Sequence, residues 1–257
     1  VTGGPALDTA AWASAWRTRA TGEKVLLAGG VLACAVALPP WPVAPVVLVV
    51  NVVLLLGPAR VPVRLLARAA SGVAWFLVLG CLTLAVARDP GGGVSGVHWH
   101  GLGLAVTDAS LRQAGTTGGH AVAGASAMFL LAATTPVTDL LRWAARRGVP
   151  ATVVEIADLT YRFVFVLLAT TRAVHAAQAA RLGYTGRKAS LVSSSQLVAC
   201  VLVRAWERAR RLQDGLEGRG FDGTLRVWEP ARRISPRFVT ASLVLPAVLV
   251  ALSLAGR

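Results

Sequence analysis

The chain has 257 residues, 55% of them apolar, and a formal net charge of +14; its mean hydropathy is +0.62. That balance excludes an ordinary soluble domain and points to an integral membrane protein. In such a protein the excess of Lys and Arg marks cytoplasmic segments, and with few aromatics beside the basic residues and no nucleic-acid motif, no nucleic-acid partner is expected.

Residues 1–24 are mixed and polar and read as a loose cytoplasmic arm. Two apolar runs follow, 25–38 and 43–57, split by Pro39-Pro40-Trp41-Pro42 into a tight helical hairpin. The first run, with Ala35-Val36-Ala37, imitates a signal peptide, but the second run so close behind makes a helical pair the better reading. Arg60, Arg64 and Arg68 sit at four-residue spacing, on one face of a short helix over 58–70. A third apolar span covers 73–87. Residues 88–119 are rich in glycine and poor in basic charge, an outward loop with a short amphipathic helix at 107–113. A fourth span, 121–134, is rich in small residues that allow close helix packing.

The character then changes. About two-thirds of the 26 Lys and Arg lie between Thr135 and Phe238, so the stretch 136–238 is expected in the cytoplasm. A short basic helix covers 139–147, and a long one covers 151–182 with Glu155, Asp158 and Arg162 in its apolar half. Asp158 and Arg162 are one helical turn apart with the acid first, which favours a structural ion pair over an intramembrane relay. The spacing Ser193–Gln196 is that of a capping box, so the next helix is expected over 193–218. Its row Arg204, Arg208, Arg211 suits solvent or anionic lipid headgroups. A closing apolar span covers 239–255. The layout is a membrane bundle over 25–135, an insert over 136–238 and a C-terminal span over 239–257: an all-α polytopic bundle of about five spans.

Two endings in the insert share a pattern: Ala180-Arg181-Leu182-Gly183-Tyr184-Thr185-Gly186 and Gly218-Arg219-Gly220-Phe221-Asp222-Gly223. Each sets an arginine and a glycine after a helical run, where glycine accepts the left-handed conformation that stops a helix. Arg181 and Arg219 are therefore expected at exposed helix ends, where an arginine fork can reach carboxylates or backbone oxygens of a partner.

With Thr134-Thr135-Pro136, Gly148-Val149-Pro150 and Tyr161-Arg162 upstream, this ordered set resembles the transmembrane T component of energy-coupling factor transporters, the EcfT/CbiQ family. The Arg-Leu-Gly-Tyr and Arg-Gly-Phe-Asp-Gly forms look more like the cobalt/nickel branch than the shared vitamin branch. The resemblance implies a non-enzymatic scaffold in a prokaryotic cell membrane. Its coupling helices would dock two ABC ATPase subunits through Arg181, Gly183, Arg219 and Gly220, and the bundle would hold a small membrane S component that carries the substrate. No cofactor is implied.

Two other classes compete. A secondary transporter or channel would want charged residues inside its spans, and these spans are nearly free of them. A metalloenzyme would need ligands beyond His98 and His100, a pair too small for a firm site. Cys34, Cys81 and Cys200 lie far apart in apolar runs and read as packed thiols.

Overall fold

The computed structural model describes residues 6–88, 96–99, 104–221 and 235–255. In chain order the elements are α1 (Ala6–Ala13), a 3-10 turn (Ala15–Thr18), α2 (Thr21–Ala37), α3 (Pro40–Leu56), α4 (Val63–Ala85), β1 (Ala87–Arg88), β2 (Gly96–Trp99), β3 (Leu104–Thr107), α5 (Asp108–Thr134), α6 (Val137–Arg146), α7 (Ala151–Ala180), α8 (Arg187–Glu217) and α9 (Pro236–Ala255). They form two compact units, Pro5–Pro136 with Ala231–Arg257, and a second centred on Val137–Pro230.

In the larger unit α5 packs against α1, α2, α3 and α4, while α9 packs on α2 and α3. Small residues set the spacing. A Cβ on Gly118 would fall 2.7 Å from Cys81 Sγ, and one on Gly119 would fall 2.9 Å from Pro40 Cβ, so these glycines let α4 and α3 close onto α5. Val31, Cys34, Val43, Val47, Ala123, Ala127 and Leu249 form one buried cluster. The buried Asn51 donates from Nδ2 to Ser126 Oγ at 2.9 Å, a polar tie between α3 and α5. The thiols of Cys34, Cys81 and Cys200 are free.

Several expected elements change. The described part of the expected loose arm, from Ala10 on, is packed: Ala10, Ala11 and Trp16 are buried, and Trp16 meets the Phe238 ring edge-on at 5.0 Å. Lys24 is only 2% exposed and donates from Nζ to the Thr134 carbonyl at 3.0 Å. Its neighbour Glu23, also buried, accepts from the Ser235 amide at 2.5 Å. Arg60 lies outside any helix, with φ of 53°, and Arg64 and Arg68 belong to the first turns of the 23-residue α4. Pro62 at its N-cap starts that helix. The segment 88–119 is no plain loop. Its strands pair antiparallel in the order β1-β3-β2, and α5 starts at Asp108 and runs on without a stop. A reciprocal capping box between Thr107 and Ser110 fixes that start.

The polytopic helical bundle stands. Among the described residues α4, α8 and α9 are long and apolar enough to cross a membrane, or four spans result where α5 and α6 count as one bent span. The helices α2 and α3 have 17 residues each, short of the ~20 that an ideal span needs. Along α4 the residues Trp75, Phe76, Leu79 and Leu82 are exposed, an apolar face suited to lipid or to another membrane protein.

Replacing Lys24 removes a buried donor and strands the Thr134 carbonyl. Lys24→Met is expected to lower stability by about 2–3 kcal/mol, read as thermal unfolding in detergent. The exposed Lys188→Met should leave the midpoint unchanged.

Candidate functional site

Both arginine motifs close their helices by the same hydrogen bonds. At the end of α7 the Leu182 amide donates to the Ala179 carbonyl at 3.0 Å, and the Gly183 amide to the Gln178 carbonyl at 2.9 Å. At the end of α8 the Gly220 amide donates to Glu217 at 3.0 Å, and the Phe221 amide to Leu216 at 3.1 Å. These are two Schellman caps, with Arg181 and Arg219 at the same position in each. Both arginines are exposed. Neither makes an ion pair, a side-chain hydrogen bond or a ring contact among the described residues.

The glycines divide the work unequally. Gly220 takes the left-handed conformation in the second cap, with φ of 73°. In the first cap Leu182 takes it, with φ of 62°, contrary to the expectation that Gly183 would. The reason for Gly183 is space: a Cβ there would lie 2.7 Å from Ser193 Oγ and 3.0 Å from the Gln178 carbonyl oxygen.

Ser193 is the centre of a clasp. Its hydroxyl donates to the Gly183 carbonyl at 2.7 Å, and its own carbonyl accepts from Gln178 Nε2 at 3.0 Å. The Tyr184 hydroxyl donates to Gln178 Oε1 at 2.7 Å, and the Tyr184 ring lies 4.7 Å from that of His175. The end of α7 is thus fastened to the second turn of α8. This corrects the reading of Ser193 as a helix start, because α8 begins six residues earlier at Arg187. Capping-box spacing in the sequence does not distinguish a cap from a serine that reaches back across a turn.

The two arginines are not brought together. They flank α8, whose 31 residues span roughly 46 Å at ~1.5 Å per residue. In α7 the Arg162 guanidinium lies 3.3 Å from the Asp158 carboxylate, the expected helical pair, and Glu155 lies one turn before it with an interaction of its own. His98 is in β2 opposite Ala105; its side chain, and His100 as a whole, lie outside the described residues, as do Asp222 and Gly223. Among the described residues no group of three His, Cys, Asp or Glu could hold a metal.

Against known families, the cobalt transport protein CbiQ matches residues 13–228. The chain belongs to that family. It is 38% identical to the cobalt transport protein CbiQ of Rhodobacter capsulatus over 95% of this chain and 96% of that one. It is 25% identical to the Salmonella typhimurium protein of the same description, over 58% of this chain and 67% of the relative. A fused cobalt transport protein, CbiMQ, of Methanocorpusculum labreanum is 27% identical over 63% of this chain and 28% of its own length. Family and fold together make this a multi-pass membrane component of a transport system.

A third cap, at the end of α6, repeats the pattern. Gly148 has φ of 99°, and the amides of Gly148 and Val149 donate to Ala145 and Ala144 at 3.2 and 3.3 Å. Arg147 occupies the arginine position there, but its guanidinium lies 4.9 Å from the Trp143 ring. Cap geometry alone therefore does not single out Arg181 and Arg219 in this family member; their unengaged side chains do. The Arg147-Gly148 pair was visible in the sequence, but it read only as the end of a short helix.

The caps make distinct predictions. Leu182→Gly should stabilise the α7 turn by about 1 kcal/mol, because glycine adopts positive φ without the Cβ penalty. Gly220→Ala should cost about 1 kcal/mol for the converse reason. Gly183→Ala should break the Ser193 clasp and speed amide exchange over residues 178–193, read by hydrogen exchange mass spectrometry.

Proposed function

We propose that the chain is the energy-coupling scaffold of an ECF-type ABC importer. It links two ATPase subunits to a small membrane S component in a prokaryotic cell membrane. Cobalt or nickel is the cargo of the assembled system; the cobalt transport relatives support that branch over the vitamin-type one. ATP hydrolysis belongs to the partner subunits.

The observation that carries this reading is the pair of unengaged arginines. Arg181 and Arg219 hold equivalent positions in the C-terminal caps of two successive helices, α7 and α8. The helix between them, roughly 46 Å long at ~1.5 Å per residue, favours two partner surfaces over one pocket. Each arginine offers a planar fork of donors beyond its last helical turn, shaped for a carboxylate or backbone oxygens in a groove. Gly183 and Gly220 keep the turns narrow beside them.

The two docking points differ in what they would move. A load on Arg181 passes into α7 and, through Gln178, Tyr184 and Ser193, into the start of α8 as well. A load on Arg219 enters α8 alone, through its last turn. The Asp158–Arg162 pair stiffens α7 between its cap and its N-terminus. Exposed apolar side chains on α7 and α8, among them Ile156, Val164, Leu191, Leu202 and Trp206, offer a surface for the S component. The excess of basic residues across 136–238 favours the cytoplasmic side for this insert, with 25–135 and 239–257 as the membrane part and 1–24 as a cytoplasmic arm.

The test is co-purification. Truncating one partner of a desolvated charge contact costs roughly 2–5 kcal/mol, so Arg181→Ala with Arg219→Ala is expected to abolish recovery of the ATPases with the tagged chain, while its elution and thermal midpoint stay unchanged. ATPases that remain bound to the folded double variant would refute the docking roles.

A further inference from the structure

Within the smaller unit a cavity of about 520 Å³ opens between α7 and α8. Its α7 wall presents Phe163, Val166 and Leu167, all half-buried, and Thr170, whose hydroxyl donates back to the Val166 carbonyl at 2.9 Å. Its α8 wall presents Arg204, Arg208 and Arg211, with Glu207 among them. The arginines fall at i, i+4 and i+7, one face of the helix. Glu207 engages Arg211, carboxylate to guanidinium at 3.2 Å. Arg204 and Arg208 have no ion-pair partner among the described residues. Three guanidinium groups against one carboxylate leave an excess of two positive charges in the lining.

An apolar wall opposite a cationic wall selects an amphiphile. A peptide laid along α7 would have to satisfy a backbone donor and acceptor at every residue, and Phe163, Val166 and Leu167 supply neither. A phospholipid concentrates its polar atoms at one end. Its acyl chain can lie on the α7 side chains while its phosphate meets two guanidinium forks, whose geometry matches phosphate oxygens. We infer that the groove between α7 and α8 is a binding site for an anionic phospholipid, with Arg204 and Arg208 holding the phosphate and Phe163, Val166 and Leu167 seating an acyl chain. Glu207 tunes the site by neutralising Arg211. This site is independent of the docking roles of Arg181 and Arg219.

The experiment uses the full chain, delipidated in detergent and titrated separately with phosphatidylglycerol and phosphatidylcholine, with bound lipid counted by native mass spectrometry. Phosphatidylglycerol is expected to be retained in preference to phosphatidylcholine. Arg204→Gln with Arg208→Gln should weaken phosphatidylglycerol by roughly tenfold or more, since each basic group contributes a several-fold attraction to anionic lipid. Phosphatidylcholine should not change. Glu207→Gln frees Arg211 and should tighten phosphatidylglycerol, a gain that misfolding cannot produce. Equal retention of the two lipids, undiminished phosphatidylglycerol on the double variant, or no gain with Glu207→Gln would each overturn the site. So would a double variant that keeps the lipid but loses a co-purifying protein subunit, since the groove would then be a protein contact.

Discussion

The larger unit depends on two adjacent charges at the start of α2. Glu23 and Lys24 are both buried, where an unpaired charge would cost several kcal/mol. Each is matched to a helix end of opposite polarity. Glu23 accepts from the Ser235 amide at the entry to α9, and Lys24 donates to the Thr134 carbonyl at the exit of α5. Helix ends leave amides or carbonyls without partners, and the aligned peptide dipoles favour an acid at the start and a base at the finish. One dipeptide thereby joins the ends of three helices. Because α5 packs against four others, holding its end in place sets the register of the bundle around it.

The smaller unit solves the same problem with backbone geometry. Its three helices all finish in Schellman caps, so the last carbonyls are satisfied within the chain. That leaves the arginine at each cap unused in closing its helix. At α6 the arginine folds over Trp143; at α7 and α8 it has no side-chain partner among the described residues. The α7 cap is further locked by the Gln178–Ser193–Tyr184 clasp, whereas the α8 cap has no such fastening among the described residues.

Much of the helical layout was legible along the chain. Pro39 to Pro42 separated α2 from α3, and Gly148 with Pro150 separated α6 from α7, because proline and glycine act through the local backbone. The Asp158–Arg162 pair followed from one helical turn. The boundaries that failed were those set by distant partners. Arg60 reads as a helical residue by spacing, yet the chain turns there so that Ala59 and Val61 can be buried. Ser193 reads as a cap, yet it serves the Gly183 carbonyl ten residues back. The strands of 87–107 were hidden because each is only two to four residues long, too short for alternation to show.

The amino-acid sequence by itself determined the class and the family: an apolar, strongly basic chain, helices with marked ends, and two arginine–glycine endings in a fixed order. These are properties of composition and of neighbours within a turn or two, which need no knowledge of the fold. Tertiary structure alone decided that Lys24 is buried and not part of a loose arm, that Leu182 and not Gly183 takes the left-handed turn, and that Gly183 is small to admit Ser193. It also decided that Arg204 and Arg208 face an apolar wall of α7. Each of these depends on which group from elsewhere in the chain arrives within hydrogen-bonding or van der Waals distance, and spacing along a single helix carries no record of that.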